Sequence, residues 1–224
     1  MSRRLRITLW IGFGIPAVLI VGLICVFLAL RYVPKFYRDA LAVEPETQEK
    51  GSDEMLQQTA ALVSHLRKPG KWHARFTAEQ INGWLAVDFV NNHPATMPPL
   101  FHNPRVSIDS DGIVLACRYE GGIVSTVLTL TVEPYVPEES VLALRIVRVR
   151  AGLVPMPLEK VLDGISDAAR RSEWRIKWRQ SGGDPVALLS APPPDNASDL
   201  AVKIEAIRLG KGDIFVSGLS ERKK

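Results

Sequence analysis

ITLWIGFGIPAVLIVGLICVFLAL, Ile7 to Leu30, runs for 24 residues without a charged side chain. As an α-helix it spans about 36 Å at ~1.5 Å per residue, against a hydrocarbon core of about 30 Å. Lipid offers no partner for backbone N–H and C=O groups, so a helix is the state such a stretch must take in a bilayer. Gly12, Gly14, Pro16 and Gly22 are compatible with that state, because membrane helices tolerate both residue types. Trp10 at one end, with Tyr32 and Tyr37 at the other, suits the two interfaces. A cleaved signal peptide would share the Arg-rich start, but its apolar segment is usually about 7–15 residues. The Ala40-Leu41-Ala42 triplet looks like a cleavage site, yet it follows Arg31, Lys35 and Arg38. Residues 1–38 are therefore expected to be a transmembrane anchor with basic flanks.

Arg3, Arg4 and Arg6 precede the apolar run, and Arg31, Lys35 and Arg38 follow it. Charge alone thus gives no orientation. Large domains translocate regardless of charge, so the expected topology is single-pass, with a cytoplasmic N-terminus and an extracytoplasmic domain.

The net charge of +4 raises the question of nucleic acid. Six of the 28 basic side chains lie within residues 1–38, which hold no Asp or Glu; the other 186 residues carry 22 cations against all 24 anions. The basic excess belongs to the flanks of the helix, where it meets lipid head groups. A nucleic-acid-binding domain would carry that excess itself. Cys25 and Cys117 indicate no disulfide framework.

Downstream, residues 39–51 are polar, with Pro45 and Gly51, and read as a linker. Ser52 then has the look of an N-cap, with Asp53 and Glu54 in the first turn. Met55, Leu56, Thr59, Leu62, Val63 and Leu66 recur at helical spacing, and Lys68-Pro69-Gly70 stops the helix. Thr77 and Gln80 have capping-box spacing, with Phe76 and Ile81 as a hydrophobic staple. From Arg105 the period changes to two. Strands are expected over Arg105–Ile108, Ile113–Tyr119, Ile123–Glu133, Val141–Val149 and Trp174–Arg179, with Pro134–Glu139 as a loop. A closing hairpin is expected over Leu200–Leu209 and Ile214–Ser217. Leu158, Val161, Leu162, Ile165 and Ala169 mark a third helix. Ala191-Pro192-Pro193-Pro194 reads as a stiff spacer. The expected class is α+β over residues 52–224: an antiparallel sheet of about six strands packed with two to three helices.

No catalytic or metal signature emerges. Gly-x-Ser-x-Gly, a phosphate-binding glycine loop, His-Glu-x-x-His and paired-cysteine spacing are all missing from the sequence. His93 and His102 flank a Pro-containing loop, where polar loop residues are the plainer account. Asp109-Ser110-Asp111-Gly112 is turn chemistry. The expectation is a non-enzyme without a cofactor or metal.

The segment Phe76-Thr77-Ala78-Glu79-Gln80-Ile81-Asn82-Gly83-Trp84-Leu85 resembles the Thr-x-Glu-Gln-hydrophobic-Asn helix start of YpmS-like proteins, a bacterial membrane-anchored family. Arg105–Tyr119 and Val147–Leu162 are similar to that family in style, and together these stretches cover about half the chain. The wider resemblance is to tubular lipid-binding domains, in which a curved sheet and a long helix enclose an apolar groove. What the resemblance implies is lipid binding; it carries over no catalytic residue. The Pro-rich insert at 191–194 departs from the pattern.

Two sets of site candidates follow. Phe76, Ile81, Trp84 and Leu85 are the candidates for an apolar ligand groove. In Trp174–Arg179, alternation puts both tryptophans and Ile176 on one face and the cations on the other. Arg171, Arg175, Lys177 and Arg179 are thus candidates for an anionic head group or partner; an ordinary half-buried strand with a solvated basic face is the plainer account. Pro98-Pro99-Leu100-Phe101 offers an apolar loop that would suit a membrane or a partner. The expected partners are the bilayer, through residues 7–30, and a lipid or amphipathic ligand. The alternative is a scaffold subunit of a membrane protein complex.

Overall fold

The computed structural model describes residues 3–93, 97–121, 124–157, 162, 166, 175–190 and 200–222. Helices α1 (Arg3–Leu30), α2 (Lys35–Leu41) and α3 (Pro45–Leu66) lead into β1 (Gly70–Thr77), α4 (Ala78–Ala86) and α5 (Asp88–Asn92). A meander follows: β2 (Phe101–Asp109), β3 (Gly112–Gly121), β4 (Val124–Glu138), β5 (Val141–Ala151) and the short β6 (Val154–Pro155). Then come β7 (Arg175–Ser181), β8 (Asp184–Ser190), β9 (Leu200–Leu209) and β10 (Asp213–Arg222). The class is α+β with antiparallel pairing throughout. The strands form two sheets rather than one: a seven-stranded sheet ordered β2-β3-β4-β5-β8-β7, with β6 also on β5, and a three-stranded sheet ordered β1-β10-β9.

Several expectations change. Residues 39–51 are not a linker, and Ser52 is not an N-cap: α3 begins at Pro45, with Glu44 as its N-cap residue. Gly51 does not break the helix, because it is a contact point. A methyl group there would sit 3.0 Å from the Glu79 carbonyl oxygen, and one on Gly83 would sit 2.6 Å from the Gln48 carbonyl oxygen. The two helices cross at their smallest residues, which lets the backbones approach closely. Leu56 and Val63 point outward instead of inward. Pro134–Glu138 continues β4 rather than forming a loop. β1 and β8 are strands beyond those the sequence pattern predicts. Leu162 and Ser166 are helical, but the rest of the third helix lies outside the described residues, as does the Pro-rich spacer.

In an antiparallel pair, directly opposed residues share a face. By register, Val132, Ile146, Leu130 and Val149 occupy one face of the large sheet. They build a core there with Ile113, Met156, Leu162 and Trp178. The opposite face carries Arg105, Ala116 and Val127, and α2 lies on it. Tyr37, fully buried, packs with Ala116 and Val127, flanked by Val33, Phe36 and Leu41. Its phenol donates to the Asn103 carbonyl oxygen at 2.9 Å, next to a register shift in β2.

The meander gives the large sheet two distinct ends. The β2–β3 and β4–β5 turns lie at one end, and the β3–β4 and β5–β6 turns at the other. The three-stranded sheet joins the first end. Gly212 N–H donates to the Ile108 carbonyl at 3.0 Å, and Ser140 N–H to the Ile204 carbonyl at 3.3 Å. Lys203 adds ion pairs to Glu139 and Glu221. The second end receives α1. A helix C-terminus leaves its last carbonyls without intrahelical partners. Here Leu153 N–H donates to Ala29 O at 2.9 Å, and Thr126 Oγ1 donates to Leu30 O at 2.6 Å. Gly152, at φ +59°, makes the approach possible: a methyl group there would sit 2.3 Å from Ala29 O.

Among the described residues no single helix is long and apolar enough to cross a membrane. Ala17–Leu30 with Lys35–Leu41, bent by 44° at the break, meets that measure only as a pair.

Candidate functional site

The alternation in β7 settles which side chains can converge. Ile176 and Trp178 face Leu189 and Ala187 across the pair, and Lys177 and Arg179 face Leu188 and Val186. Trp178 enters the core, and its indole N–H donates to Ser166 Oγ at 2.8 Å. Lys177 and Arg179 therefore stand on the other face, the one that carries α2 nearer the docked helix.

They line a cavity of about 380 Å³ together with the apolar Tyr135, Val141, Val186 and Leu188 and the carboxylate of Glu138. Val186 is buried, and the two cations are exposed. The site thus combines apolar walls with exposed cations. Beside it, Arg145 shares a cross-strand position with Val186. Its guanidinium lies 5.8 Å from the centre of the Tyr135 ring and donates to Glu133 at 3.2 Å. Arg145 Nε is buried and has no partner among the described residues. Arg148 and Arg150 continue this face along β5, opposite Thr131 and Thr129. Positive charge therefore extends beyond the rim. Arg171 lies outside the described residues, and Arg175 is placed by its backbone register alone, opposite Ser190.

The other candidate group is built differently. The capping box forms: Gln80 N–H donates to Thr77 Oγ1, and Thr77 N–H donates to Gln80 Oε1. Asn82, the last residue of that signature, has a role that helix capping does not explain. Its Nδ2 donates to the Val106 carbonyl at 2.8 Å, and its Oδ1 accepts from Val106 N–H at 2.7 Å. Asn82 thereby imitates a neighbouring strand on the edge strand β2. Phe76, Ile81, Trp84 and Leu85 are half-buried around this helix. Trp84 N–H is taken by Asp88 at 2.8 Å, and its ring lies against Phe89 and His93. None of the four lines the cavity beside Lys177 and Arg179. Of the four, Trp84 ties α4 to α5.

His93 is part of that aromatic group, while His102 faces Glu120 at 3.9 Å. No cluster of three or more His, Cys, Asp or Glu side chains suited to a metal occurs among the described residues. The Cys117 thiol is pushed up to about 11 by burial, so it is a poor nucleophile at neutral pH. Arg105 is buried with no carboxylate partner among the described residues; burial lowers its pKa, and it donates to the Ala40 and Pro104 carbonyls.

No family model, no curated protein and no solved structure matches this chain.

Proposed function

We propose that this is a membrane-anchored, non-enzymatic envelope protein, single-pass with its domain outside the cytoplasm, that binds an anionic amphipathic ligand. Residues 7–30 are its anchor. The ligand site is the cavity between β4, β8 and β7. The observation that carries this is the juxtaposition of Lys177 and Arg179 with Tyr135, Val186 and Leu188 in about 380 Å³. Ligand pockets typically occupy about 300–1,000 Å³ and combine apolar walls with a few placed polar groups. The resemblance to YpmS-like proteins supports the lipid class of ligand. Tyr135 lies nine residues along β4 from Thr126, where the helix docks, which is about 30 Å at ~3.3 Å per residue. The ligand is thus held away from the bilayer surface, so an extracted amphiphile fits better than a lipid still in the leaflet.

The test is native mass spectrometry with lipid extraction, using the full chain purified from membranes. The expected result is an anionic amphiphile at fixed stoichiometry, lost in Lys177→Glu/Arg179→Glu while the circular dichroism is unchanged. A ligand-free protein that brings a defined protein partner instead would favour the scaffold reading.

A further inference from the structure

We infer that the end of the large sheet that receives α1 is a second membrane-contacting surface, with Leu100 and Leu153 inserted into the lipid interface. This rests on the anchor reading above.

The chain leaves the apolar run through a built joint rather than a flexible tether. The carbonyls of Ala29 and Leu30 are held by Leu153 and Thr126, and Tyr37 is buried seven residues after Leu30. An anchor clamped in this way sets the height of the domain above the bilayer. Since Ala29 and Leu30 end the uncharged stretch, whatever bonds them lies at the hydrocarbon boundary. Leu153 does so through its own N–H, and its side chain is 48 % exposed.

Leu100 reaches the same level by another route. Glu120 N–H donates to the Leu100 carbonyl at 2.9 Å. Glu120 faces Ser125 across the β3–β4 pair, one residue from Thr126. Leu100 is 45 % exposed, and Tyr32, beside the joint, is 43 % exposed. Arg31 lies over the Phe27 ring at 4.9 Å, and Arg31, Lys35 and Arg38 are all exposed. Apolar tips, an amphipathic aromatic and a cation beside the joint, with two more cations in the next seven residues, are what a bilayer interface selects. The bilayer is the occupant because the exposed apolar side chains of α1, from Val18 to Leu28, lead directly into this rim.

The experiment uses the full chain in a Cys25→Ala/Cys117→Ala background, because Cys117 is only half-buried. An environment-sensitive fluorophore is placed in turn at Val18→Cys, Leu100→Cys, Leu153→Cys and Lys211→Cys. Each protein is reconstituted into phosphatidylcholine–phosphatidylglycerol vesicles containing spin-labelled lipid. Lys211, in the β9–β10 turn at the far end of the molecule, is the negative reference. The expected result is loss of fluorescence at Val18, Leu100 and Leu153 and none at Lys211. Quenching at Val18 alone would overturn the rim and leave the anchor standing. Absence of quenching at Val18 would overturn both.

Discussion

Replacing Gly152 with alanine tests whether the helix and the domain are one structural unit. The glycine has φ +59°, a conformation that costs an L-residue about 1–2 kcal/mol. The new methyl group would also meet Ala29 O at 2.3 Å and Leu30 O at 2.7 Å, so the helix end must move away. Leu153 N–H then loses its acceptor, at about 0.5–1.5 kcal/mol for a hydrogen bond at an exposed residue. The total is about 2–3 kcal/mol, or roughly 4–12 °C in Tm for a chain of this size. Gly182→Ala is the matched control. Its φ of +64° imposes the same backbone strain, but nothing lies within 4 Å of the added methyl group. Thermal denaturation of the full chain in detergent micelles gives the first readout. Tryptic cleavage after Arg31, Lys35 and Arg38 gives the second, because cutting needs local unfolding of the segment. Gly152→Ala is expected to melt several degrees below Gly182→Ala and to be cut faster there. Equal melting temperatures and equal cleavage would refute the joint.

Asn82→Ala removes both bonds to Val106 and should cost about 3 kcal/mol, since two edge-strand groups lose their partner; faster amide exchange at Val106, measured by NMR, is the specific sign, and unchanged exchange there would count against the edge-capping role. Alkaline pH should destabilise the fold. Burial raises the pKa of Tyr37, with a further contribution from Cys117, and pushes Cys117 up to about 11. The folded chain therefore keeps protons that the unfolded chain has released, so stability is full below about pH 8 and falls as pH rises toward about 11. Urea midpoints measured across that range should fall for the parent, and less steeply for Cys117→Ala; a flat profile would contradict the assignment.

Local signals were legible in the sequence, and non-local ones were not. Thr77 and Gln80 announce their helix because capping is a four-residue interaction, and β7 announces its two faces because alternation is local. β1 was equally written in alternation: Trp72 and Ala74 are buried, while Lys71, His73 and Arg75 are exposed. The small alanine weakens that pattern. β8 is a continuous apolar run, which gives no period to read. Gly51 misleads because its use as a helix crossing point depends on Gly83, far along the chain. The cavity depends on registers between β7, β8, β5 and β4, which no window of sequence contains. Lys177 and Arg179 could be selected as cations on a strand, but their apolar surroundings could not.

With residues 7–30 as the proposed anchor, the clamped helix end bears on how the protein would meet bilayers of different thickness. A stretch of about 36 Å in a core of about 30 Å would relieve the mismatch by tilting, by roughly 30°. A tethered helix would tilt alone. With Ala29 and Leu30 gripped by Thr126 and Leu153, the helix would act as a lever arm and the domain would turn with it. Thin and thick membranes would then aim the Lys177–Arg179 cavity in different directions, so that the lipid environment sets the bearing of the site without touching it.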